Sequence, residues 1–200
     1  TGFLINNKIY FGTGLINGIF QHLKDFWEFD LTTKQWTKKS DFIGSERRNA
    51  TGFSSGTDGY LCGGKIEYSS GGTPLKFNEV WKYNYLMDQW ALVAALPMSP
   101  DIGFTYTYNG NPFLCYYVNS NIYCYRFDAN NNSWILENIY PETLPGSIFG
   151  FVITDDLYYS YLTQENTCSF KKLNLISGQV SDISKPLSHS FPVRPVTFTI

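Results

Sequence analysis

Few side chains in this sequence are of the kinds that make or break bonds, and their spacing narrows the choice further. His22 and His189 are the two histidines. A Ser/His/acid hydrolase needs an imidazole beside an activated hydroxyl, and neither histidine accompanies a serine in a G-x-S-x-G turn. The four cysteines, Cys62, Cys115, Cys124 and Cys168, show no C-x-x-C spacing, and with two histidines for company they do not compose a zinc set. Asp155 and Asp156 fall where a turn is expected, which reads as a solvated hairpin tip rather than an acid–base pair. What remains suits recognition. Phe20, Tyr68 and Phe77 offer ring faces for stacking, while His22, Arg47, Arg48 and Lys76 offer donors and charge. These seven are the candidate ligand-binding residues, with no catalytic residue, metal or cofactor expected.

Such side chains are positioned by short strands. In Asp25–Gly64 the alternation Phe26-Trp27-Glu28-Phe29 is followed by a turn, a strand around Trp36, a polar loop and two further strands ending in Gly63-Gly64. Period-2 alternation broken by turn residues reads as a run of antiparallel strands. The pattern returns. Trp27 to Trp81 and Trp36 to Trp90 are both 54 positions apart, and Trp81 to Tyr125 and Trp90 to Trp134 are both 44. A fourth, weaker copy lies at Phe170–Leu175, with Val180 where a Trp would stand. Four strands repeating every 40–50 residues or so mark a β-propeller blade, giving an all-β fold with blades near 1–42, 46–97, 102–140 and 147–184 and an extra strand over 190–200, read as a single domain.

At these residues the chain resembles the kelch family of propellers. Gly63-Gly64, Trp81-Lys82-Tyr83-Asn84 and Trp90 match the doublet, the aromatic-x-aromatic-Asp run and the following Trp of that family, as do Trp27, Phe29, Asp30 and Trp36. The third copy keeps Tyr125, Phe127, Asp128 and Trp134 but has Tyr116-Tyr117 in place of the doublet, and the fourth has neither doublet nor Trp. The resemblance implies a ring of five to seven blades, so four copies plus one strand imply a partial propeller completed by sequence beyond it. It also implies an arginine at the crossing between blades near one mouth of the channel. Arg48 is the better match there, with a structural role in bonding loop carbonyls. Copper oxidases and sialidases built on propellers need ligand clusters or repeated Asp-containing turns that are missing here, whereas a sugar mutarotase could draw on Glu46, Arg47 and Arg48. Likeness to kelch proteins exported by bacteria of the Bacteroidetes type implies an extracytoplasmic location.

Two long connections stand out. Thr13–Lys24 and Lys65–Asn78 join equivalent strands of the first and second copies and should emerge on one side. Leu61 to Trp81 spans 20 positions where the matching Leu114 to Tyr125 spans 11. In the third copy, a two-residue hairpin at Asn119-Ser120 sets Cys115 against Cys124 on one face, where the sulfurs either join or pack as two buried thiols. Aromatics make up 18% and charged residues 16%, with a formal net charge of -2. No basic field exists to draw a phosphate backbone, so nucleic acid is not an expected partner. No apolar run approaches bilayer length, so membrane insertion is not expected. The sequence thus reads as a non-catalytic module presenting loops to a protein or glycan, possession of further domains being part of the same expectation. The rival readings are a carbohydrate-active enzyme such as a mutarotase and a structural domain of a larger surface protein.

Overall fold

The computed structural model describes residues 1–16, 18–98, 103–119, 121–141, 149–162 and 168–183. They build four antiparallel sheets of four strands. The first holds β1 (Gly2–Ile5), β2 (Lys8–Ile16), β3 (Gln21–Asp30) and β4 (Trp36–Lys38) in sequence order. The second holds β5 (Thr51–Ser55), β6 (Asp58–Cys62), β9 (Glu79–Asn84) and β10 (Gln89–Ala95), with the ribbon β7 (Lys65–Ile66) and β8 (Leu75–Lys76) inserted between its middle strands. The third is β11 (Gly103–Tyr108), β12 (Asn111–Val118), β13 (Asn121–Asp128) and β14 (Ser133–Pro141). The fourth is β15 (Phe149–Ile153), β16 (Asp156–Leu162), β17 (Cys168–Asn174) and β18 (Val180–Asp182). The extra strand expected over 190–200, and His189, lie outside the described residues.

One turn, made four times, explains the repeat. Each third strand ends in a short acid or amide whose side-chain oxygen accepts from backbone N–H groups just beyond it. Asp30 takes those of Thr32 and Thr33, Asn84 those of Leu86 and Met87, Asp128 that of Asn130, and Asn174 those of Ile176 and Ser177, at 2.7–3.2 Å. Such local bonds stabilise a turn because they satisfy donors that no strand can reach. Four positions on, each turn closes through a left-handed residue: Lys34, Asp88, Asn132 and Gly178, with φ from 48° to 72°. Trp36, Trp90 and Val180 then pair with Phe29, Tyr83 and Leu173. The fourth copy therefore keeps the geometry although it has lost the Trp.

The described residues form two compact units, the first containing β1–β10 and the 128–134 segment, the second containing the rest of β11–β18. In the first unit the core is largely aromatic. Phe3, Tyr10, Phe26, Tyr83 and Trp90 are buried with ring centroids 4.8–6.5 Å apart. Two of its phenols are anchored by carboxylates: Tyr10 donates to Glu28 at 2.7 Å and Tyr83 to Asp88 at 2.6 Å. A buried hydroxyl left without an acceptor would cost about 1–3 kcal/mol, so these acids are structural. The core of the second unit gathers Phe104, Tyr106, Ile122, Leu157, Tyr159 and Leu173 around a disulfide between Cys115 and Cys124, directly opposed on β12 and β13.

The connections differ from their reading as loops. Strands β2 and β3 run on through most of Thr13–Lys24, pairing Leu15 with His22 and Ile16 with Gln21 after a bulge between Gly12 and Gly14. Lys65–Asn78 contains the ribbon β7–β8. Both excursions begin where the backbone turns left-handed: Gly63 and Gly64 have φ of 63° and 90°, and Thr13 and Gly14, at the same register, 55° and 138°. In β12 the strand continues through Tyr116 to a tight hairpin with Val118 opposite Asn121. The doublet therefore marks where a hairpin is diverted outward.

Candidate functional site

Arg47 organises the region from which the two excursions leave. Its side chain is fully buried. Nε donates to the Ser45 carbonyl at 3.0 Å, Nη1 to the Gly63 carbonyl at 2.9 Å, and Nη2 to Glu79 Oε2 at 2.6 Å. The guanidinium lies between the rings of Phe42 and Phe77, 4.8 and 4.0 Å from their centroids. Burial lowers its pKa and Glu79 opposes that shift. Burial likewise works to raise the Glu79 pKa, but hydrogen bonds from Trp81 and Arg47 outweigh it and leave the carboxyl below its ordinary value. The pair is thus charged and its donors are used within the fold.

The backbone of the crossing segment ties the excursions together. The Arg47 carbonyl accepts from Gly14 N–H at 2.8 Å, and Arg48 exchanges two bonds with Lys65 at 2.9 and 3.0 Å. The Arg48 guanidinium is bound to Glu67, which also takes Lys65 at 2.7 Å. Glu67 N–H donates to His22 Nε2 at 3.3 Å, joining the second excursion to the first. An imidazole that accepts at Nε2 is neutral and carries its proton on Nδ1. Burial and the nearby Arg48 charge hold the His22 pKa below its ordinary value, with Glu46 pulling the other way.

Between these elements opens a cleft of about 700 Å³. Its lining runs from Phe20–Asp25 on one side, past Asp41 and Glu46 on the crossing segment, to Ile66–Ser70 on the other. Phe20, held with φ of 54°, sets its ring edge-on to His22 with centroids 6.0 Å apart. Tyr68 is half exposed across the cleft. Rings, hydroxyls, carboxylates and an imidazole at one opening can stack on an apolar face while exchanging hydrogen bonds with polar groups.

Three of the seven expected ligand-binding residues, Phe20, His22 and Tyr68, share this lining. Arg47 does not, because it is wholly buried in structural bonds, and Phe77 is stacked beneath its guanidinium. Arg47 makes carbonyl bonds of the kind expected of Arg48, and Arg48 is held within the fold by Glu67. Lys76 is exposed on β8 and is not part of the lining. Lys24, Asp25, Asp41 and Glu67 were not singled out from the sequence. The signal for Glu67 is its place two residues beyond Lys65, but only the ribbon turns it toward Arg48. Among the described residues no group of three or more His, Cys, Asp or Glu side chains is arranged to hold a metal.

No family model matches the sequence. Proteins named N-acetylneuraminate epimerase from Escherichia coli O157:H7 and from Shigella flexneri are 32% identical to it over 136 residues, covering 66% of this chain and 35% of theirs. The chain therefore spans about a third of the length of the curated relatives it matches. The solved structure of YjhT aligns over 94% of this chain and 65% of its own, with a TM-score of 0.74 at 18% identity. That likeness is one of fold: the chain is built as a β-propeller of four-stranded blades, in keeping with its kelch-type repeats.

Proposed function

We propose, starting from a kelch-type propeller whose sequence relatives are named for a sugar, that this chain recognises a glycan in the cleft between its two excursions. The observation that supports it most is the meeting of Phe20 and Tyr68 with neutral His22 and the hydroxyls of Ser69 and Ser70 in one lining. A sugar ring has an apolar C–H face that stacks on an aromatic and a girdle of hydroxyls that both donate and accept. This lining offers both kinds of partner. An extracytoplasmic location belongs to the same proposal and follows from likeness to exported kelch proteins.

A second reading is favoured by the relatives' names. A mutarotase, or an epimerase acting at the anomeric carbon, opens and recloses the sugar's hemiacetal or hemiketal, with a general acid at one oxygen and a general base at another. His22 and Glu46 are the lining groups suited to those roles.

Saturation-transfer NMR with glucose, N-acetylglucosamine, glucuronate and N-acetylneuraminate tests the first reading. Signal on at least one sugar, reduced about tenfold by Phe20→Ala or Tyr68→Ala, is expected, in line with loss of an aromatic contact of roughly 1–1.5 kcal/mol. No signal on any glycan, free or arrayed, contradicts it. If the chain also accelerates anomer exchange, and His22→Gln abolishes that while binding persists, the second reading replaces the first.

A further inference from the structure

We propose that the chain associates head to tail with a second copy of itself, the face of the first sheet that carries Trp36 seating against the face of the fourth that carries Phe151. Glycan recognition plays no part in this pairing. Each sheet repeats one stacked couple, in which a first-strand ring lies on the directly paired second-strand ring: Phe3 on Tyr10, Phe53 on Tyr60, Tyr106 on Phe113 and Phe151 on Tyr158, with centroids 4.8–5.7 Å apart. Phe3, Phe53 and Tyr106 are 2–5% exposed, whereas Phe151 is 37% exposed. Ile153, two positions on and on the same face, is 55% exposed where its counterpart Ile5 is buried. In the first unit Phe3 is covered by Tyr83 and Trp90 of the second sheet, with centroids 6.3 and 6.5 Å away, and Phe53 meets Trp134 at 5.8 Å. In the second unit Tyr106 is buried in one cluster with Leu157 and Leu173 of the fourth sheet. The first-strand ring of a sheet is thus a seat for side chains of the sheet that follows it.

The first sheet carries the other half of that contact, uncovered. Phe29 and Trp36 are paired across β3 and β4 as Tyr83 and Trp90 are across β9 and β10. Tyr83 and Trp90 are buried, and so are Phe127 and Leu173, which like Phe29 stand one residue before the turn acceptor. Trp36 is 57% exposed and rests on Phe29 of its own sheet at 4.8 Å. Phe11, on the same face, is 37% exposed where Leu61, Leu114 and Tyr159 are buried. Among the described residues, then, one seat stands open in the second unit, and one set of side chains that fits such a seat stands open in the first. Every copy brings both. A Trp36 face on a Phe151 face repeats a contact that the chain already makes internally, which neither face does against itself. Contacts of this kind are heterologous, so copies add one to the next. Gathered apolar side chains are what such contacts bury, and a Trp among them carries a large share of the energy.

The test is analytical ultracentrifugation of the chain from about 1 to 100 μM, the range over which an interface of micromolar Kd fills. The wild type is expected to pass from monomer to larger species as concentration rises. Trp36→Glu and Phe151→Glu should each weaken that association about tenfold or more, as loss of a central aromatic does. Mixed in equal amounts, the two variants should form a one-to-one dimer, because together they keep one intact pair of faces. Urea midpoints show whether the variants are folded, and if Phe151→Glu has lost stability, Ile153→Glu at the more exposed neighbouring position takes its place. A wild type that stays monomeric throughout overturns the proposal and leaves both faces to blades of some other chain. So does association that survives the Phe151 or Ile153 change, since Trp36 faces would then be pairing with each other, and so does a mixture of folded variants that stays monomeric.

Discussion

At the scale of single residues, two adjacent arginines are each held by a glutamate, Arg47 the more deeply. Arg47→Ala would leave the Gly63 and Ser45 carbonyls without their donor and Glu79 without its cation, and would empty the space between Phe42 and Phe77. Removing one member of a buried ion pair costs about 3–5 kcal/mol, but Glu79 keeps partial exposure, so roughly 2–4 kcal/mol is expected in urea unfolding. Arg47→Lys should recover little, since an ammonium cannot reproduce the planar fork between two rings. Arg47 makes the loop-carbonyl bonds of the kind expected of Arg48, and Arg48 beside it, only about a quarter exposed, is also held within the fold by Glu67. His22 makes a separate prediction. Its folded-state pKa lies below the ordinary 6.5, so its contribution is complete above pH 6.5 and is lost as pH falls through the lower folded value. Protonation also removes the acceptor of the Glu67 N–H. Amide exchange at Glu67, corrected for intrinsic rate, should quicken as pH drops below about 6.5 in the wild type and not in His22→Gln. Glu28, Glu79 and Asp88 are all held below ordinary carboxylate values, so their losses fall at lower pH.

Elements show why the repeat is legible in sequence where it is. Asp30, Asn84, Asp128 and Asn174 recur because the turn after each third strand needs a short acceptor, and that need survives when the neighbouring Trp does not. Lys34 is the poorest fit among the four left-handed positions, where the others are Asp, Asn and Gly. Lys34→Gly is therefore expected to stabilise by about 0.5–1 kcal/mol in thermal or urea unfolding, the relief of left-handed strain being partly offset by the freer unfolded chain. The same change at a right-handed turn position should destabilise. Strand existence, order and the opposition of Cys115 and Cys124 could be read from alternation and turn spacing. The ribbon β7–β8 could not, because its two-residue strands flank a Ser/Gly/Pro stretch that locally favours coil and pair only in the tertiary setting. Thr13 escaped for a related reason: a β-branched residue rarely turns left-handed, so its equivalence to Gly63 is visible only in register.

For the molecule as a whole, the four sheets and their likeness to the YjhT fold carry the architecture, while purpose rests on one cleft in the first unit. Among the described residues no helix is long and apolar enough to cross a membrane. The most direct test of glycan recognition is a two-dimensional NMR titration of the labelled chain with N-acetylglucosamine, following the Phe20, His22, Glu67 and Tyr68 resonances. Saturable shifts concentrated on those four residues are the expected result. Shifts confined to the second unit, or none at ligand concentrations of tens of millimolar, the range of weak monosaccharide binding at roughly 2–3 kcal/mol, would contradict the account.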